Sequence, residues 1–179
     1  MLKFIPNIIT VLRILLAFLF IPIFLEGRYS WATVIFFVAA VSDFFDGYIA
    51  RKFGITSKFG AMMDPVADKV LMFVLYLLFA HEKIIPYYLA VVVILRDLLI
   101  LAVVLICLIK KIKLKFSPLM SSKINTTVQL TFVMLVLTCK TFSINLSLDT
   151  LVLFVCGMTI YSGLDYARRY KWIKNELCS

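Results

Sequence analysis

Six apolar runs, at about 8–25, 31–50, 62–80, 85–109, 121–139 and 147–165, divide the chain almost end to end, with short polar breaks between them. A run of roughly 20 apolar residues matches the hydrocarbon core of a bilayer. Runs this long and evenly apolar predict membrane-spanning helices. The mean hydropathy of +1.03 and the 16% share of charged residues agree. The expectation is an all-α, polytopic integral membrane protein, a bundle of six transmembrane helices forming one domain over 1–179. No internal repeat, low-complexity segment or long linker interrupts it.

The polar breaks differ in charge. One set holds Lys3, then Arg51, Lys52 and Lys58, then Lys110, Lys111, Lys113 and Lys115, then Arg168, Arg169, Lys171 and Lys174. The alternate set holds Glu26 with Arg28, His81 and Glu82 with Lys83, and Lys140 with Asp149. By the positive-inside rule the first set, and both termini, face the cytoplasm. The net charge of +9 is accounted for by this topology and by attraction to anionic headgroups; no nucleic-acid signal is present. The first run contains Arg13 and no small-residue cleavage site, so it is expected to be a retained helix rather than a secretory signal. Cys107, Cys139, Cys156 and Cys178 follow no metal-site spacing and are expected to be packing residues. His81, the one histidine, falls on the non-cytoplasmic side, which argues against a histidine base.

Against this background, four aspartates stand out in SDFFDGYIARKFGITSKFGAMMDPVADKV, Ser42 to Val70. A carboxylate in or beside a bilayer needs a reason. Asp43 and Asp46 are three apart, and Asp64 and Asp68 four apart, so each pair shares a helix face. A break of about ten residues makes the two helices antiparallel neighbours, and all four carboxylates can converge just inside the membrane. So much negative charge requires a cation. Hard oxygen ligands without His or Cys suit Mg²⁺, Mn²⁺ or Ca²⁺. Two ions would use all four carboxylates, an arrangement that serves in-line displacement at phosphorus. The alternative for any single aspartate is an ion pair with Arg51, Lys52 or Lys69. Gly47 follows Asp46 and Gly60 precedes Asp64 by one turn; glycine costs roughly 1 kcal/mol inside a helix, and with Ala50 these positions would admit a ligand close to the backbone. Small-residue helix packing is the competing explanation.

The pattern from Asp43 to Asp68, D-x-x-D-G-x-x-A-R-x₈-G-x-x-x-D-x-x-x-D, resembles the signature of the CDP-alcohol phosphatidyltransferases at every defining position. The resemblance extends to IPNIITVLRI, ILRD and SSKINTTVQL, and weakens over the last span. It implies a bundle of six membrane helices, often dimeric, in a bacterial inner membrane or an organellar equivalent, with the active site facing the cytoplasm. The implied reaction transfers the phosphatidyl group of CDP-diacylglycerol to the hydroxyl of an alcohol and releases CMP. By position, Asp43, Asp46, Asp64 and Asp68 would hold two Mg²⁺ or Mn²⁺ ions. Asp68 would also be the general base, effective through placement more than basicity. Asp46, Gly47, Ala50, Gly60 and Asp64 would bind CDP.

The acceptor is less sharply indicated. Arg13, Lys69, Arg96 and Lys123 lie in or near spans, where a cation usually meets a water-filled cavity or a partner. Arg51, Arg96 and Lys123 are the candidates for an acceptor phosphate. The alternatives are that Arg96 pairs with a carboxylate such as Asp165 and that Lys123 snorkels to the interface. An anionic glycerol-based acceptor fits: glycerol 3-phosphate, as in phosphatidylglycerophosphate synthases, is the lead. Phosphatidylglycerol, as in cardiolipin synthases, is the alternative. A transporter is a remote third reading, because transporters show repeated halves and these acids come from one adjacent helix pair.

Overall fold

The computed structural model describes the backbone of residues 5–53, 58–109 and 120–177, and the side chains of 11–42, 69–102, 104 and 120–168. Among the described residues there are six helices and no strand: α1 (Ile5–Leu25), α2 (Tyr29–Phe53), α3 (Lys58–His81), α4 (Tyr87–Ile109), α5 (Met120–Thr141) and α6 (Asp149–Leu177). Each covers one of the apolar runs, α4 and α6 beginning two residues inside theirs. The helices overshoot the runs chiefly at their polar ends, most of all α6, because polar helix-forming residues continue the hydrogen-bond ladder without contributing to hydropathy. Lys3, Lys110, Lys111, Lys113, Lys115 and Cys178 lie outside the described residues, as do the side chains of Arg51, Lys52, Lys58, Cys107, Arg169, Lys171 and Lys174.

Three helices end in the same way, for a reason visible in the backbone. At α1, Arg28 N–H donates to the Ile23 carbonyl at 3.2 Å and Gly27 N–H to that of Phe24 at 3.0 Å. At α3, Ile84 donates to Phe79 at 2.9 Å and Lys83 to Ala80 at 3.1 Å. At α5, Ile144 donates to Cys139 at 2.9 Å and Ser143 to Lys140 at 3.4 Å. These paired bonds are Schellman caps, which satisfy the orphan carbonyls by turning one residue left-handed. That residue is Gly27 (φ 74°), Lys83 (φ 54°) or Ser143 (φ 53°).

The chain divides into two compact units. The first takes the described residues up to Leu78 with Met134–Asn145. Here α1 packs on α2. Arg13, Ala17, Phe20 and Phe24 of α1 and Ala32, Ile35, Phe36 and Ala39 of α2 are buried at helical spacing. The alanines permit close approach of the two backbones. Phe20 stacks on Phe24 at 5.4 Å, and Phe24 meets Tyr29 edge-on at 5.4 Å. Thr33 Oγ1 donates to the Tyr29 carbonyl at 2.9 Å, so the 3.0 Å bond to Thr141 must be donated by Thr141.

The second unit takes Phe79–Val133 and the residues from Leu146 onward, and in it α4 packs on α6. Its buried stripes run Leu89, Ala90 and Val93 on α4, Phe132 and Val133 on α5, and Val152 and Val155 on α6. Each stripe turns polar along the same helix face: Arg96 and Asp97 on α4, Asn125 and Gln129 on α5, Thr159 and Ser162 on α6.

The surface is far more apolar than that of a protein in water, and the interior, apolar in the main, also holds polar side chains. Arg13, Arg96, Asp97, Asn125, Gln129, Thr159 and Ser162 are buried, while Leu15, Phe18, Phe37, Leu98, Leu99, Phe154 and Ile160 are exposed. Continuous apolar exposure of this kind marks an interaction or lipid-facing surface. Among the described residues, Asp149–Arg168 is long and apolar enough to cross a membrane, and Val11–Leu25, Tyr29–Ser42 and Lys69–His81 are shorter apolar segments.

Candidate functional site

The signature positions fall on two helices of the first unit. Asp43, Asp46, Gly47, Ala50 and Arg51 lie in α2, and Gly60, Asp64 and Asp68 in α3. Residues three and four apart therefore have the helical register that the pairing of the carboxylates requires. The side chains of all eight lie outside the described residues. No group of three or more His, Cys, Asp or Glu suited to a metal ion occurs among the described residues, a set that excludes the four aspartates. The donor chemistry of the α2 and α3 aspartates, four hard carboxylates and no nitrogen or sulfur, fits Mg²⁺ or Mn²⁺.

The second unit holds a described polar cluster at the α4, α5 and α6 contacts. Arg96, 5% exposed, donates from Nη1 to Asp97 Oδ1 at 2.6 Å. From Nη2 it donates to Ser122 Oγ of α5 at 2.9 Å and to Ser162 Oγ of α6 at 2.7 Å. One guanidinium thus ties three helices together. Arg96 thus pairs with a carboxylate, the alternative weighed from sequence, but with its neighbour Asp97 and not the Asp165 given there as the example; Asp165 accepts from Ser121 Oγ at 2.6 Å. Adjacent residues on a helix do not normally face each other, but a long guanidinium can fold back to the next carboxylate. Breaking a buried pair of this kind costs about 3–5 kcal/mol, since the remaining charge is stranded.

Deeper in the same contacts, Thr159 links two amides, all three residues being fully buried. Gln129 Nε2 donates to Thr159 Oγ1 at 3.3 Å, and Thr159 Oγ1 lies 3.2 Å from Asn125 Oδ1 and 2.7 Å from the Val155 carbonyl. A hydroxyl has one proton. Given to the nearer carbonyl of Val155, it leaves Oγ1 as an acceptor, which the Asn125 amide satisfies when Nδ2 is turned toward it. Exposure rises along the cluster: Asn125, Gln129 and Thr159 are closed off, Ser121, Ser122 and Asp165 are half-buried, and Lys123 is exposed.

Of the three acceptor-phosphate candidates, Arg51 lies outside the described side chains, Arg96 is buried and hydrogen-bonded, and Lys123 is exposed at the start of α5. Sequence reasoning missed Thr159 and Ser162 because α6 carries little of the motif resemblance. The available signal was their spacing: Thr159, Ser162 and Asp165 recur every three residues within the apolar run of that helix.

The family model for CDP-alcohol phosphatidyltransferase matches residues 3–161. A CDP-diacylglycerol--glycerol-3-phosphate 3-phosphatidyltransferase of Cereibacter sphaeroides is 51% identical over 72 residues, 38% of this chain and 33% of that protein. The enzyme of the same name in Pseudomonas fluorescens is 45% identical over 82 residues, 44% of this chain and 42% of its own. A cardiolipin synthase (CMP-forming) of Rattus norvegicus is 30% identical over 186 residues, 92% of this chain and 62% of its own. The chain thus spans between a third and about three fifths of the length of these curated relatives.

Proposed function

Because the chain belongs to the CDP-alcohol phosphatidyltransferase family, we propose that it transfers the phosphatidyl group of CDP-diacylglycerol to an anionic glycerol-based acceptor in phospholipid biosynthesis. The observation that carries this reading is the complete signature, Asp43 to Asp68, on consecutive helices inside the matched region. The acceptor's hydroxyl oxygen attacks the phosphorus on the diacylglycerol side, the bond from that phosphorus to the CMP oxygen breaks, and CMP leaves with the electron pair. Asp68 receives the hydroxyl proton.

Asp43, Asp46, Asp64 and Asp68 would hold two divalent cations, Mg²⁺ or Mn²⁺, which when bound offset charge on the diphosphate. Gly47, Ala50 and Gly60 leave the backbone open to CDP, with Asp46 and Asp64 beside it. Arg51, Arg96 and Lys123 are the residues proposed for the acceptor's phosphate. The domain is proposed to be a single bundle spanning 1–179 with six membrane crossings, both termini and the active site in the cytoplasm, and a homodimer as its assembly.

Glycerol 3-phosphate is the first acceptor on this reading, supported by the identity to the Cereibacter sphaeroides and Pseudomonas fluorescens enzymes. Phosphatidylglycerol is the second, supported by the likeness to the Rattus norvegicus cardiolipin synthase along 92% of the chain. Purified protein given CDP-diacylglycerol and each acceptor separately should release CMP and form a new lipid, its mass identifying the acceptor. Failure to release CMP with either one would sink the proposal.

A further inference from the structure

The last helix is longer than a membrane crossing requires. Asp149–Arg168 is long and apolar enough to cross a membrane, and α6 then continues without a break for nine residues, RYKWIKNEL, to Leu177. The helical register sorts this extension into stripes. Arg168, Lys171 and Lys174 recur every three residues along one, and Tyr170, Ile173 and Leu177 fall three and four apart along another. At 1.5 Å of rise per residue, Lys171 and Lys174 stand roughly 4.5 and 9 Å beyond Arg168. The screening length at physiological salt is about 8 Å, so both lysines lie within about one screening length of charge at the end of the span.

The acids along this stretch do not cancel the lysines. Asp165 stands three residues from Arg168 and four from Arg169, so neither arginine is counted as unpaired. Lys171 and Lys174 have no acid three or four residues away in either direction; Glu176 is five and two residues from them, off the helical pairing distances. Orienting a span asks only for cations near its end. It does not ask that the helix continue, that the cations share a register, or that an apolar stripe and Trp172 lie among them. Those are features of a segment held against charged headgroups.

We propose that residues 168–177 of α6 bind the anionic phospholipid headgroups of the bilayer that α6 crosses. Lys171 and Lys174 supply the attraction, and the stripe of Tyr170, Ile173 and Leu177 supplies the apolar contact. A zwitterionic lipid offsets its phosphate with its own cation, so the segment distinguishes lipids by net charge. The inference rests on α6 as a membrane span and is independent of the reaction proposed above.

Trp31 and Trp172 are the two tryptophans, and Trp31 is exposed, so Trp31→Phe leaves Trp172 as the one indole reporter. The full chain with that change is placed in nanodiscs of phosphatidylcholine, or of equal parts phosphatidylcholine and phosphatidylglycerol. The readouts are the emission maximum and quenching by acrylamide, which is neutral and indifferent to surface charge. Anionic discs should shift the emission to the blue and protect Trp172 from the quencher. A cation near an anionic surface contributes about fivefold in affinity. Adding Lys171→Gln and Lys174→Gln should therefore lower the ratio of bound to unbound segment by roughly tenfold or more and return quenching toward its value in phosphatidylcholine. High salt should do the same with both lysines in place, which keeps the test decisive where the lysine variant does not fold. Equal quenching in the two kinds of disc would overturn the proposal. Protection that persists in high salt and without the lysines would also overturn it, by assigning Trp172 to an apolar contact instead. A chain that does not enter nanodiscs at all defeats the membrane reading of α6, a failure seen before any lysine is changed.

Discussion

At the scale of single residues, the polar side chains that bear on function divide into those whose surroundings are described and those known by position along a helix. Asp43, Asp46 and Asp64 belong to the second group, and their chemistry predicts a clear phenotype. Outer-shell partners of a metal alone are worth about 10–100-fold in metal affinity or activity, so removing a charged ligand should cost more. Asp43→Asn, Asp46→Asn and Asp64→Asn should each lower CMP release by more than about 100-fold, with the protein still extracted as a monodisperse species. Excess EDTA should abolish wild-type turnover, and Mg²⁺ or Mn²⁺ should restore it. Full turnover in EDTA contradicts the ligand assignment. Lys123 is exposed and allows a separate test: Lys123→Gln should raise KM for the acceptor while leaving metal-dependent CDP binding near normal. An equal loss of CDP binding would place it at the nucleotide instead. The sequence made Arg96 legible as a buried cation, because a charge inside an apolar run is conspicuous. It did not make its partner legible. Asp97 is adjacent in sequence, where helix neighbours do not normally face each other, so the pairing shows only once Ser122 and Ser162 hold the guanidinium in place.

At the scale of elements, the helices were readable because a bilayer-length apolar run has few folding options, whereas their ends depend on polar residues that hydropathy undercounts. The Schellman caps illustrate the limit. Gly27 announces a left-handed residue by its identity, but Lys83 and Ser143 adopt φ of 54° and 53° with ordinary side chains, so no residue-type signal existed. The left-handed conformation costs a non-glycine residue roughly 1–2 kcal/mol. Glycine relieves that strain but loses about 0.5–1 kcal/mol in chain entropy. Lys83→Gly and Ser143→Gly should therefore stabilise the detergent-solubilised protein by roughly 0.5–1 kcal/mol each. Gly27→Ala should destabilise it by about 1 kcal/mol. Thermal unfolding in one detergent measures all three, and a lower midpoint for both glycine variants would show that the side chains of Lys83 and Ser143 outweigh their backbone strain. Lys140, 5.9 Å from the Tyr29 ring centroid, adds a cation–π contact beside the α5 cap; Ser143→Gly leaves it intact, so the substitution isolates the backbone effect.

At the scale of the whole molecule, the many exposed apolar side chains fit the lipid-facing surface of the proposed membrane bundle, and on that reading the charged breaks would decide which end faces which compartment. The junctions Glu26–Arg28 and His81–Lys83 carry near-balanced charge. Arg28 Nε lies 3.0 Å from Glu26 Oε2, and His81 Nδ1 lies 3.2 Å from Glu82 Oε1. On the proposed topology their near-balance would leave little net charge to oppose translocation, while the lysines and arginines of the alternate breaks would resist it. Aromatic residues mark the same junctions, with Trp31 just after α2 begins and Tyr87 and Tyr88 opening α4, all exposed; this is the composition of a membrane–water boundary. The expected orientation therefore puts His81 outside and Lys58 in the cytoplasm. In a background with Cys107, Cys139, Cys156 and Cys178 changed to Ser, a membrane-impermeant maleimide added to intact cells should modify His81→Cys and spare Lys58→Cys. Permeabilisation should expose the second. The same pattern would place the α2 and α3 aspartates toward the compartment in which a nucleotide-linked lipid and a water-soluble acceptor are available together. Labelling of Lys58→Cys with protection of His81→Cys would invert the topology and require an acceptor supplied from outside, a condition that phosphatidylglycerol in the outer leaflet meets and cytosolic glycerol 3-phosphate does not.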